Sequence, residues 1–137
     1  MKFVLDASTT LAWYFEDEAS AAADRALNSA TLGGAIVPPL WRLEVANGFQ
    51  TALRRKRIDR QYRDESLADL REMPIEVDGE SDAHVWTSTL DLADRFGLSV
   101  YDACYLELSQ RRGLPLATLD ALLHRASVAL GFGAAEF

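Results

Sequence analysis

The sequence predicts an α/β fold with a mostly parallel sheet, and three observations carry that expectation. Short apolar runs alternate with longer stretches of helical period along the chain. Turn formers such as Gly33-Gly34 and Pro38-Pro39 punctuate them. An acid follows the first and the last apolar run, Asp6 and Asp120, and in sheets of this class ligands gather beyond the carboxyl ends of the strands.

Taken in order, Lys2 to Asp6 reads as a short strand ending in an acid. Ser8 is expected to open a helical stretch through Phe15, its hydroxyl suited to a helix start. The alanine-rich segment from Glu16 to Ala30 is expected to form a second helix, broken by Gly33-Gly34, and Ala35-Ile36-Val37 a second strand. Pro38-Pro39 then precedes a helix expected from about Leu40 to Lys56, since proline is tolerated in a first turn. On its 3.6-residue period Trp41, Val45, Phe49 and Ala52 form an apolar stripe, while Glu44 and Asn47, at i and i+3, share another face. A helix is expected from Asp59 to about Met73, a strand at Ile75-Glu76-Val77, and a helix from Ser81 to Phe96 stopped by Gly97. Ser99-Val100-Tyr101-Asp102 has the form of a capping box and begins a helix ending near Gly113. Leu114 to Thr118 is a strand candidate with Pro115 at its beginning or edge, and Asp120 opens a last helix to about Leu130.

The 137 residues fit one domain, 1–137, because a second would have too little core. With 49% hydrophobic residues a packed core is expected and disorder is not. The single cysteine, Cys104, excludes an internal disulfide and a cysteine-based zinc cluster, and agrees with a reducing compartment. The apolar run before Asp6 is far too short for a signal peptide or a membrane span, so a cytoplasmic location without a membrane partner is expected. The net charge of −7 weighs against a protein that coats nucleic acid through bulk charge. Yet six of the fourteen basic residues fall between Arg54 and Arg63. Arg54, Arg55, Lys56 and Arg57 read either as an RNA-phosphate patch or as a solvated helix end, where cations suit the C-terminal dipole.

Each acid has an ordinary structural explanation. Asp6 suits a turn, Asp102 a reciprocal cap for Ser99, and Asp120 an N-cap. Glu44 is harder to place so, because Leu43, Val45 and Ala46 around it are apolar, and a glutamate on a buried helix must be paired, solvated or bound to a cation. If the four converge, they cannot all stay ionised without a compensating cation. Oxygen-only ligands suit Mg²⁺ or Mn²⁺ rather than zinc or copper. Such a site can split a phosphodiester without a protein nucleophile, through a metal-activated water. One carboxylate would take the proton, and Asn47 and Ser8 would orient Glu44 and Asp6, unless those two are simple capping or surface residues. His84 and His124 stand in helical stretches with no evident partner and read as ordinary surface or core residues.

The ordered set of motifs resembles the PIN-domain nucleases. Val4-Leu5-Asp6-Ala7-Ser8 is similar to their opening motif, Leu43-Glu44-Val45-Ala46-Asn47 to their Glu-x-x-Asn helix, and Leu116-Ala117-Thr118-Leu119-Asp120 to their Thr-x-Asp element. Ser99 to Leu108, with Tyr101-Asp102-Ala103-Cys104-Tyr105-Leu106-Glu107-Leu108, is similar to their third acidic motif, and with the compact length it looks most like the VapC toxins of type II toxin–antitoxin pairs. The resemblance implies a three-layer α/β/α sandwich and a Mg²⁺- or Mn²⁺-dependent RNA endonuclease. It also implies a homodimer neutralised by a VapB-like antitoxin. Asp6, Glu44, Asp102 and Asp120 carry over as catalytic and metal-site residues, the last at the family's most variable acid. Ser8, Asn47 and Thr118 carry over as supporting polar residues. An antitoxin tail with a basic residue would enter the carboxylate site, and Trp13, Tyr14 and Phe15 either line a groove for it or belong to the core.

Two other readings compete. One is a catalytically silent PIN-like module that binds protein or RNA. The other is a phosphoryl-transfer or receiver-type α/β domain, which the sequence disfavours. Ser8 stands where a haloacid-dehalogenase-type phosphatase wants a second Asp, and the only lysines, Lys2 and Lys56, leave no late lysine for a receiver.

Overall fold

Phe3–Leu5 forms β1 at the centre of a four-stranded sheet, its three side chains fully buried. A computed structural model of the chain describes residues 2–133; Met1 and residues 134–137 of the expected 1–137 domain lie outside them. β2 (Ala35–Val37), β3 (Ile75–Val77) and β4 (Leu116–Ala117) complete the sheet in the order β3-β2-β1-β4. Every pairing is parallel, with Val4 beside Ile36 and Leu116 and with Ile36 beside Glu76. Parallel strands covered on both faces must be apolar throughout, which is why β1 and β2 read as unbroken runs rather than alternating ones.

The helices follow from the connections. α1 (Ala7–Ala12) and α2 (Ala21–Gly33) link β1 to β2, and α3 (Leu40–Arg54) and α4 (Arg60–Arg71) link β2 to β3. Both crossovers step the same way along the sheet, so right-handed connection puts all four helices on one face. α5 (Leu90–Phe96) and α6 (Val100–Arg112) return across the sheet to β4 and therefore cover the other face, followed by α7 (Ala121–Ala129). The result is a three-layer α/β/α sandwich whose core joins Phe3, Leu5 and Ile36 to Phe49, Tyr105 and Leu108. β1 is the strand at which the order reverses, and the crevice past its carboxyl end, between β1 and β4, is where such sheets bind ligands.

Several expected boundaries move, each for a local reason. The first helix starts at Ala7, because Asp6 and not Ser8 is the N-cap, accepting from Thr9 N. Glu16–Glu18 is a 3₁₀ turn, and the second helix begins after Ser20, whose hydroxyl accepts from Ala23 N. The segment expected as one helix from Ser81 to Phe96 is a 3₁₀ turn (Ser81–His84), a π turn (Val85–Thr89) and then α5. Val85, Trp86, Thr87 and Thr89 are β-branched or aromatic and gain little from regular helix. Leu43 and Ala46 beside Glu44 are exposed, Leu43 by 75%, so α3 is wet on that side although Trp41, Val45, Phe49 and Ala52 are buried as the period requires.

α3 ends in a six-residue wrap in which Lys56 N donates to Leu53 O (3.0 Å) and Arg57 N to Ala52 O (2.9 Å). The residue at its left-handed position is Lys56, φ 59°, where glycine is the usual choice and any side chain costs about 1–2 kcal/mol. Gly48 earlier on α3 permits a close approach to α1, since a Cβ there would stand 2.5 Å from Leu11 Cδ1.

An ion network ties the end of β3 to α6. Arg111 donates to Asp78 (Nη2 to Oδ2, 2.8 Å) and to Glu107 (Nε to Oε2, 2.9 Å), both side chains 4% exposed or less. Burial alone would raise the Asp78 carboxyl, but hydrogen bonds from Arg111 and Ser81 outweigh it and hold the group at about 2.

Candidate active site

The end of β1 delivers Asp6 into the crevice, where it is 4% exposed. Its carboxylate accepts from Thr9 N (2.9 Å), from the Ser8 hydroxyl (2.8 Å to Oδ1, 2.9 Å to Oδ2) and from the Thr118 hydroxyl. The same two hydroxyls receive backbone donors from the loop after β4: Leu119 N to Ser8 Oγ (3.2 Å) and Asp120 N to Thr118 Oγ1 (3.0 Å). With Asp6 N donating to Ala117 O (3.2 Å), this lacing fixes the β4 loop against the end of β1. Burial raises the proton affinity of Asp6, and the donors from Thr118, Thr9 and Ser8 act in the opposite direction.

Glu44 reaches the crevice from the second turn of α3 and is half-buried. The Tyr105 hydroxyl, buried on α6, donates to Glu44 Oε1 at 2.5 Å. Burial raises the Glu44 carboxyl above the ordinary range, Tyr105 lowers it, and the charges of Asp102 and Asp6 raise it again. Asp102 sits in the first turn of α6, partly buried, with Ser99 Oγ accepting from its backbone N–H (3.1 Å). Its carboxyl is raised by burial first and by the charge of Asp120 second, and lowered by Ser99. Asp120 is exposed and caps α7, accepting from Leu123 N (2.8 Å).

Neighbouring pairs of the four acids therefore lie within electrostatic reach, Asp6 with Glu44, Glu44 with Asp102, and Asp102 with Asp120. Ser8 and Thr118 bind Asp6 directly, whereas Asn47 is exposed on α3 with no hydrogen bond to any of the acids. Among the described residues no three His, Cys, Asp or Glu side chains converge tightly enough to hold an ion by themselves. The donors are hard oxygens of the kind a hard cation takes; burial raises all three carboxyls, and the charges of neighbouring acids add to that at Glu44 and Asp102.

Tyr105 is the residue of the site that reading from sequence left without a role. It lies three residues after Asp102, one helical turn along the same face, which is a signal that it shares the crevice. Nothing in the sequence pairs it with Glu44, 61 positions away. Cys104 next to it is buried, and burial together with Glu107 and Glu44 pushes its thiol up to about 11, so it is no nucleophile. Trp13, Tyr14 and Phe15 all pack on the core: Trp13 Nε1 donates to Ala23 O (2.9 Å), and Tyr14 and Phe15 meet Phe49.

The chain is 34% identical over 123 residues to the ribonuclease VapC3 of Pyrobaculum aerophilum, an alignment covering 90% of this chain and 92% of that protein. Residues 3–129 match the PIN domain family, a span that includes all four acids. The chain belongs to the PIN domain family.

Proposed function

We propose that the chain is a Mg²⁺- or Mn²⁺-dependent endoribonuclease, acting as the toxin of a VapBC-type pair. The observation that carries this reading is the buried Asp6 carboxylate, held by Ser8, Thr9 and Thr118 beside two further acids whose proton affinity burial raises. The ribonuclease name of the relative from Pyrobaculum aerophilum supports it.

Asp6, Glu44 and Asp102 are the groups that would hold the ion, with Asp120 beside them. The ion, when bound, lowers the pKa of water and neutralises charge developing on the phosphate. Ser8 and Thr118 keep both Asp6 oxygens fixed, so the carboxylate does not reorient as charge builds nearby. Tyr105 fixes Glu44 in the same way. Of the acids, Asp120 is the most open to solvent and would accept a proton from the attacking water.

For partners, RNA is the substrate, a VapB-like antitoxin the inhibitor, and a second copy of the chain the companion. Leu43, Tyr101 and Leu119 are large exposed apolar side chains adjacent in sequence to Glu44, Asp102 and Asp120, and they support an interface beside the site. No helix among the described residues is long and apolar enough to cross a membrane, in keeping with action in the cytoplasm.

Cleavage of labelled RNA with and without Mg²⁺ or Mn²⁺ tests the reading. Asp6→Asn and Asp102→Asn should each lose about a thousandfold or more in rate, several kcal/mol of transition-state stabilisation. Equal cutting by both variants and the parent would remove the catalytic assignment. A second reading is a silent PIN-like binding module. Under it Mn²⁺ would not bind at millimolar concentration.

A further inference from the structure

The basic cluster after α3 is the strongest charged feature that the acidic site leaves unexplained. Its members separate in the structure. Arg57, itself exposed, pairs across the surface with Asp17 (2.9 Å) and Glu18 (3.8 Å) and stacks 5.0 Å over Phe15. Arg63 is taken up by Asp64 and Gln50, and Asp59 is spent capping Tyr62 N. Arg54, Arg55, Lys56 and Arg60 are exposed and have no ion-pair partner among the described residues. Asp17 and Glu18 are thus taken up by Arg57; Glu16 and Asp59 border the same groove as Lys56 and Arg60, but none of the four cations at the tip of the α3–α4 hairpin is in an ion pair among the described residues.

Two further observations give the tip direction. Lys56 holds a left-handed backbone position that favours glycine, so the chain keeps a cation where its fold is better served without a side chain. Arg54 ends α3 and Arg55 is its C-cap, about three turns and 16 Å along the helix from Glu44, so the tip and the acidic crevice are joined by one element.

We infer that Arg54, Arg55, Lys56 and Arg60 form a second phosphate-contact site for RNA, engaging the same strand outside the acidic crevice. The inference rests on the nuclease reading for its substrate. Phosphate contacts of this kind position the strand and read no sequence.

Fluorescence anisotropy of labelled RNA in EDTA tests it without any cleavage. For a 20-nucleotide RNA, Arg54→Glu/Arg55→Glu/Arg60→Glu should lose at least about tenfold in affinity, and its salt slope should flatten by about 2, near 0.7 per lost phosphate contact. Lys56→Gly should weaken binding a few-fold while keeping or raising the thermal midpoint, which separates lost contact from lost folding. Arg25→Glu/Arg71→Glu/Arg95→Glu imposes the same change of net charge elsewhere and should retain the parent's affinity for the long RNA. Unchanged affinity and salt slope in the tip variants overturn the inference. So does equal weakening by the control triple, which would make the effect bulk charge, or loss confined to binding of an acidic protein. If instead the tip variants bind as expected but the parent cuts no RNA, the nuclease reading fails and this one stands.

Discussion

Replacing Arg111 by methionine should destabilise the fold more than any other exposed-to-buried charge change in the molecule, because it strands two buried carboxylates at once. Asp78 and Glu107 are 1% and 4% exposed at their side chains, and Arg111 donates to both. The depression of Asp78 from 3.8 to about 2 corresponds to about 2.4 kcal/mol at 1.36 kcal/mol per unit, an upper figure because the partly exposed Arg112 and Glu80 admit water beside it. Breaking a buried pair by removing one partner costs about 3–5 kcal/mol. With the screening, a loss of about 2–4 kcal/mol follows, or a fall in thermal midpoint of about 8–16 °C. The pH dependence has a definite sign. The folded-state pKa of Asp78 lies below its unfolded value, so its stabilisation is present above about pH 4 and disappears as the pH falls toward 2. Urea unfolding followed by far-UV circular dichroism between pH 2 and 7 should show that acid loss in the parent and a flatter profile in Arg111→Met. A cycle with Asp78→Asn should give a coupling of at least about 1 kcal/mol. If the midpoint in urea is unchanged and the acid limb coincides with the parent's, the network does not hold β3 to α6.

Two further outcomes concern the crevice. Tyr105→Phe keeps the buried ring and removes only the donor to Glu44 Oε1, so RNA cleavage should fall about tenfold, near 1.4 kcal/mol, with the native circular dichroism retained; an unchanged rate would show that Glu44 is positioned without it. Mn²⁺ at a hundred times its dissociation constant should stabilise the fold by about 2.7 kcal/mol, read as a raised thermal midpoint, and Asp102→Asn should abolish most of that rise; a rise that survives in Asp102→Asn would place the ion elsewhere.

Much of the site's raw material is local in the sequence. β2 and β3 are legible to the residue because Ala35-Ile36-Val37 and Ile75-Glu76-Val77 are short runs fenced by glycine and proline. The caps at Ser99 and Asp120 follow from residue type alone. Where the reading slipped, a local preference was outweighed. Ser8 has the chemistry of a cap, but its hydroxyl is drawn to the Asp6 carboxylate, and Asp6 takes the cap position. The segment expected as one helix from Ser81 is irregular as far as Thr89, where Val85, Trp86, Thr87 and Thr89 gain little from regular helix, while Asp78, held by Arg111 from another element, engages Glu80 N and Ser81 Oγ at its start.

The sequence by itself determined an α/β chain with an acid after its first and last strands, since period, turn residues and capping chemistry act within a few residues of one another. Only the tertiary structure decided that Tyr105 binds Glu44, that Thr118 binds Asp6 across 112 positions, and that Arg57 is engaged while Arg54, Arg55, Lys56 and Arg60 are free to act. Those facts depend on how β1, β4, α3 and α6 pack, and burial and charge take their values only from groups that the fold brings together.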